Sequence, residues 1–199
     1  MTVIADRPIV PSIDEAQARR LLLLAIAYSL SITSAAVGFY FYVVIPLWFW
    51  LALSSRSFVS QSLRRARRLL VLSLVLWIAF TIPLFFFILV FSPLIYAAEV
   101  SVILIGSTLM YLAANSSASG SPRIAAAGRI GLAAGAATAV ILLSVGALLA
   151  LEIARTIPVG EVVGIFPILS IGALIPSMIS ALSFVGIAMW TRKRVLKGA

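Results

Sequence analysis

The sequence contains neither cysteine nor histidine, and its only aspartates are Asp6 and Asp14. The chain therefore forms no disulfide, no thiolate metal site and no haem site with histidine or cysteine as the ligand. It also lacks the commonest general base, which excludes a Ser–His dyad. Both aspartates precede the first apolar run, so a pair of intramembrane aspartates is excluded, and no glycine-rich phosphate loop ending in Gly-Lys is present. We expect no enzymatic activity, no cofactor and no metal site.

Charge of either sign is scarce. Charged residues make up 11% of the 199 residues and hydrophobic residues 63%, whereas about 25% of an ordinary soluble domain is charged. A soluble domain of this size leaves roughly a third of its unfolded surface in contact with water, which does not suit so apolar a composition. The sequence therefore predicts a multi-pass integral protein of the cell membrane, built as an all-α bundle of transmembrane helices.

The charge that is present is mostly positive. Lys and Arg number 15 against six Asp and Glu, for a net charge of +9. Membrane proteins concentrate Lys and Arg in cytoplasmic loops, so we interpret this charge as a topology signal and expect no nucleic-acid partner. The expected partners are the lipid bilayer and its anionic headgroups on the cytoplasmic side.

Long apolar runs divide the chain into six predicted spans. The run 21–55 carries no charge; as one helix it would be about 52 Å long, against a bilayer core of about 30 Å. Arginines flank the run on both sides, so we expect it to cross twice, with an outer turn near Gly38. A signal peptide that ends near Ala36 is the alternative. The spans are predicted at about 21–37, 39–55, 69–91, 94–114, 130–151 and 162–190.

The last predicted span is longer than one crossing requires, and it contains Pro167, Gly172 and Pro176. We expect a strongly tilted or broken helix there, with a re-entrant start as a further alternative.

Polar segments flank the predicted transmembrane domain, 21–191. In the N-terminal segment 1–20, Ser12 and Glu15 have the spacing of a capping box, which predicts the start of a helix lying on the membrane surface. The segment 192–199 is a basic tail. Arg155 is the only basic residue placed outside, which leaves fourteen of the 15 inside. This bias predicts an even number of spans and cytoplasmic termini, although the same charges helped to place the loops.

Small residues recur every four positions in the fifth predicted span. Ala127, Gly131, Gly135 and Ala139 form a smooth stripe, widened by Gly128, along which another helix can approach closely. We interpret the stripe as an internal packing surface. The alternative is an interface with a second copy or with a partner subunit.

Glu99 is the only acidic residue inside a predicted apolar run. An intramembrane carboxylate indicates an ion, proton or substrate site, but Glu99 lies close to the start of its span, so a place at the outer interface is the simpler interpretation. Glu152 and Arg155 lie on the same predicted side. We expect Arg155 to pair with Glu99 or with Glu152, the latter at helical spacing.

Two further groups of polar residues have simple interpretations. A cluster of arginines precedes the third predicted span and suits an interfacial helix that contacts anionic headgroups, with a cytoplasmic protein partner as the alternative. The cluster comprises Arg64, Arg65, Arg67 and Arg68.

Hydroxyl residues crowd the first span at Ser29, Ser31, Thr33 and Ser34, where such side chains usually bond their own backbone or a neighbouring helix. A polar pathway is the alternative.

Two functions remain open. The first is transport, as a small carrier or as the membrane subunit of a transporter, supported by the predicted topology, the long last span and Glu99. The second is a non-catalytic structural or accessory subunit of a membrane complex, supported by the scarcity of polar residues within the spans and by the small-residue stripe. Polar residues that converge on Glu99 would favour transport, whereas an apolar interior would favour the second function.

Overall fold

Four helices form the described part of the protein. The computed structural model describes residues 15–37, 68, 71, 72, 75, 93–117, 121–153 and 159–198. Within these residues all regular structure is helical. The helices are α1 (Glu15–Val37), α2 (Pro93–Ser117), α3 (Pro122–Ile153) and α4 (Val159–Gly198).

Three stretches of these helices are long and apolar enough to cross a membrane. They are Glu15–Ala36, Pro122–Leu151 and Ile171–Lys197, and Val100–Ser116 in α2 is a shorter apolar helix. The chain is therefore a helical bundle with the character of a membrane protein, because such helices satisfy their own backbone hydrogen bonds in a medium without water.

The start of α3 shows why a polar linker becomes a helix at this point. Pro122 occupies the first turn, where its missing N–H is not needed and its fixed φ suits the helix. The backbone N–H groups of Ile124 and Ala125 donate to the carbonyl of Ser121 at 3.1 and 3.2 Å. The helix therefore begins eight residues before the predicted span at 130.

The structure contradicts a broken last span, whereas a strongly tilted one stays a prediction. Helix α4 is continuous over 40 residues, through Pro167, Gly172 and Pro176, and is about 60 Å long at 1.5 Å per residue. Each proline removes one backbone donor, whereas a full break in an apolar environment would leave several N–H and C=O groups without partners. The unbroken helix thus costs fewer hydrogen bonds than a re-entrant segment.

Helices α2, α3 and α4 pack side by side in alternating directions. Gly128 of α3 lies against Tyr111 of α2, and Gly135, two turns later, lies against Ser107, so the two helices are antiparallel. On the other side Gly131 lies against Phe184 of α4. The start of α3 lies beside the later part of α4, so this pair is antiparallel as well.

Helix α1 completes the core. It packs mainly on α4 and also contacts α2. The largest fully buried side chains belong to α1, α2 and α4, and much of the remaining core is alanine. The six largest are Tyr28, Phe184, Leu21, Leu24, Ile32 and Ile103.

Several predictions fall outside the described residues. They include the capping residue Ser12, the outer turn near Gly38 and the span 39–55. Of the span 69–91, only 71, 72 and 75 are described, as helical positions. The six-span count, the double crossing of 21–55 and the cytoplasmic location of both ends therefore stay predictions.

Candidate functional site: a buried hydroxyl cluster

Three hydroxyl groups from three helices meet in the centre of the described core. The hydroxyl oxygen of Tyr28 in α1 lies 2.7 Å from Ser107 Oγ in α2 and 2.8 Å from Ser180 Oγ in α4. All three side chains are fully buried. We call Tyr28, Ser107 and Ser180 the hydroxyl cluster.

Helix α3 joins the cluster through its backbone. Ser180 donates to the carbonyl of Gly131 in α3 at 2.7 Å, while Ser107 donates to the carbonyl of Ile103 in its own helix, also at 2.7 Å. One buried polar group thus connects four helices that are far apart in sequence. Such fully bonded polar contacts fix how helices align in a core that is otherwise apolar.

The cluster has fewer protons than short contacts. Its three hydroxyls carry one proton each, yet four contacts of 2.7–2.8 Å link them to one another and to the carbonyls of Ile103 and Gly131. At any moment one of the four oxygen–oxygen contacts therefore has no hydrogen atom between its two oxygens, and the three protons can be distributed over the contacts in more than one way. The cluster is neutral in every arrangement, so it can exchange hydrogen bonds without burying a charge.

Two glycines of α3 make room for this arrangement. A Cβ atom added at Gly135 would clash with Ser107 Oγ, and it would lie 2.9 Å from Ser107 Cβ and 3.0 Å from the Tyr28 hydroxyl. A Cβ atom at Gly131 would lie 3.0 Å from two ring atoms of Phe184. The Phe184 ring in turn meets the Tyr28 ring edge-on, with centroids 5.3 Å apart.

The small-residue stripe of α3 therefore faces other helices of the same chain at its centre. Ala139 is buried at one end of the stripe, and Ala127 is half-buried at the other. Beside the stripe, a Cβ atom at Gly128 would lie 3.2 Å from the ring of Tyr111. A further interface with a second copy or a partner subunit stays a prediction.

The other buried polar side chains in the described helices are also hydroxyls that donate to backbone carbonyls. Ser31, Thr138 and Thr191 bond the carbonyl four residues earlier, and Ser177 bonds the carbonyl three residues earlier. Near the half-buried face of α1, Ser29 and Thr33 bond Ala25 and Ser29 in the same way. The expectation that the hydroxyls of the first span bond their own backbone is confirmed for Ser29, Ser31 and Thr33.

The predicted charged sites are only partly placed. Glu99 lies in α2, one turn before the buried Ile103, and Glu152 lies near the end of α3. The side chains of both, and all of Arg155, fall outside the described residues, so the predicted ion pairs are not placed. Of the arginine cluster, Arg68 is exposed on a helical position, and Arg64, Arg65 and Arg67 are outside the description. No three metal-ligating side chains come together among the described residues.

Reasoning from the sequence did not identify the hydroxyl cluster. Tyr28 offered one signal, because a buried tyrosine needs a partner for its hydroxyl, and it lies in an apolar run among serines. The partners Ser107 and Ser180 are 79 and 152 residues away. Nothing local marks them among the other serines of the spans.

Comparison with known proteins adds no relative. No protein-family model matches the chain, and no curated protein or solved structure matches it significantly. What the protein does must therefore be inferred from its own residues.

Proposed function

We propose that this chain is a non-catalytic structural or accessory subunit of a membrane complex, with six spans and both ends in the cytoplasm. One observation carries the proposal. Every buried serine and threonine of the described helices donates its proton to a backbone carbonyl of the same chain. A transported polar solute needs groups that can replace its water shell. The protons of these hydroxyls are already donated within the chain, five of them each within its own helix and that of Ser180 across to α3.

The tight centre of the bundle supports the same function. Gly131 and Gly135 bring α3 close to its neighbours: a methyl group added at Gly135 would clash with Ser107, and one added at Gly131 would lie 3.0 Å from the Phe184 ring. A packed centre of this kind suits a scaffold. A carrier would instead have to open the bundle at this depth to pass a solute.

Transport is the second candidate, and the place of Glu99 favours it. This residue lies on α2 about two turns before Ser107 of the hydroxyl cluster. Glu99 is the only acidic residue inside a predicted apolar run, and intramembrane acids commonly bind ions or protons. On this alternative, the path would run beside the packed centre, along the spans that contact α2.

Native mass spectrometry of the protein purified from its own membranes in a mild detergent tests the proposal. We expect the chain in a complex with other chains at fixed stoichiometry. A lone monomer or homo-oligomer that retains native fold would contradict the subunit role, and an ATPase among the partners would identify a transporter complex instead.

A flux measurement separates the two candidates further. In proteoliposomes, Glu99→Gln should abolish ion or proton flux if the protein is a carrier. The matched control is Glu15→Gln, at the start of α1, which should leave that flux unchanged. If the chain is a subunit without a transport path of its own, proteoliposomes that contain the unaltered protein should show no more flux than empty vesicles.

A further inference from the structure

A groove opens between the start of α3 and the later part of α4. It has a volume of about 590 Å³ and is lined by Arg123, Ile124 and Ala127 on α3 and by Gly186, Ile187 and Trp190 on α4, among others. The volume is within the range of about 300–1,000 Å³ typical of small-molecule sites. None of the residues of the hydroxyl cluster lines this groove.

The groove is apolar at its floor and positive at its rim. Ile124 and Ile187 form the floor, at 6% and 3% exposed. Arg123 is exposed at the rim. The guanidinium carbon of Arg194 lies 5.2 Å from the centre of the Trp190 ring, a cation–π distance that holds this second arginine against a residue of the groove lining.

Glycine keeps the groove open. A Cβ atom added at Gly186 would meet no atom within 4 Å, so a side chain at this position would project into free space rather than into the bundle. Position 186 therefore borders open space in the groove lining, and a larger side chain there would reduce the volume of the groove.

We propose that this groove binds one anionic phospholipid, with the phosphate at Arg123 and Arg194 and an acyl chain along Ile124, Ala127 and Gly186. Charge complementarity selects the headgroup, because guanidinium groups bind phosphate oxygens in a fixed fork. The apolar floor selects a ligand with a hydrocarbon part. Trp190 suits the headgroup level, where tryptophan is enriched in membrane proteins. Only an amphiphile satisfies both ends of the groove.

Lipid binding to the purified full-length chain tests this proposal. Delipidated protein in a neutral detergent is titrated with dioleoylphosphatidylglycerol or with dioleoylphosphatidylcholine, and bound lipid is counted by native mass spectrometry. We expect one phosphatidylglycerol to be retained at energies that remove phosphatidylcholine. Arg123→Gln and Arg194→Gln should each weaken its retention about fivefold.

Two leucine variants in the same helix give a matched pair. Gly186→Leu fills the groove and should weaken retention of phosphatidylglycerol by about tenfold or more. The Cβ atom of Gly172→Leu also meets no atom within 4 Å, and position 172 does not line the groove, so this variant should bind phosphatidylglycerol as the unaltered protein does. The melting temperatures of the two variants verify that both are folded.

Three results would overturn the proposal. Equal retention of the two lipids would show that the headgroup charge is not recognised. Full retention by Gly186→Leu, or by both arginine variants, would place the bound lipid elsewhere on the protein. Displacement of the lipid by millimolar inorganic phosphate alone would show a phosphate site that does not use the apolar floor. If Gly186→Leu does not fold, the two arginine variants decide the outcome.

Discussion

At the scale of single residues, Gly135 has the closest neighbours of the described glycines. A methyl group added there would clash with Ser107 and lie 3.0 Å from the hydroxyl of Tyr28. We predict that Gly135→Ala lowers the free energy of unfolding by about 1–3 kcal/mol, the usual cost of overpacking a core. Thermal unfolding in detergent, followed by circular dichroism, measures this.

Gly172→Ala is the matched control for that change. Its new methyl group meets no atom within 4 Å, and alanine favours the helix over glycine by about 0.8–1.0 kcal/mol in water. This variant should unfold at the same temperature as the unaltered protein or higher. Equal losses in the two variants would mean that backbone effects, and not the contact with the hydroxyl cluster, decide the result.

The Tyr28 side chain makes a second prediction at the residue scale. Tyr28→Phe removes the shared hydroxyl but leaves Ser107 and Ser180 donating to their carbonyls, so it should cost about 0.6–1 kcal/mol. Tyr28→Ala also removes a fully buried ring and should cost about 3–5 kcal/mol. The same unfolding assay ranks the two variants. A loss in Tyr28→Phe as large as that in Tyr28→Ala would show that the hydroxyl, and not the ring, holds the helices together.

At the scale of the helix, the sequence identified the described helices but not their ends. The predicted spans 94–114 and 130–151 lie within α2 and α3, which extend beyond them at both ends. The charges of Arg123 and Arg129 set the predicted start of the span at 130, because they mark where the apolar run begins and hence the boundary of the membrane. A helix ends where its backbone bonding ends, so α3 continues through both arginines to Pro122.

The cluster itself shows what sequence patterns leave out at this scale. Periodicity identifies the face of a helix that is small or apolar, and the stripe containing Gly131 and Gly135 was identifiable for that reason. It does not identify which side chain of another helix fills that face. The pairing of Gly135 with Ser107 and Tyr28 depends on how four helices cross, and Ser107 and its neighbour Thr108 have the same local sequence signal.

At the scale of the whole molecule, α3 and α4 are antiparallel, so the start of α3 and the end of α4 lie at the same end of the bundle. This arrangement agrees with the expectation that the polar linker 115–122 and the basic tail lie on the same side of the membrane. Whether the start of α1 lies on the same side depends on whether the number of crossings between 21 and 92 is even or odd, and labelling from one side of the membrane shows which side it is. The absence of cysteine makes this directly measurable.

Single cysteines introduced at exposed described positions report the side on which each helix end lies. With a membrane-impermeant maleimide on intact cells, we predict that Ala150→Cys, near the end of α3 that we expect to lie outside, is labelled. Glu15→Cys, Ala126→Cys and Leu196→Cys should be labelled only after permeabilisation. Because α3 and α4 are antiparallel, positions 126 and 196 lie at the same end of the bundle, so their cysteine variants should show the same labelling and serve as the internal control. Labelling of Glu15→Cys from outside, with Leu196→Cys protected, would require an odd number of spans. The run 21–55 would then cross once, and the loop containing the arginine cluster would still lie inside.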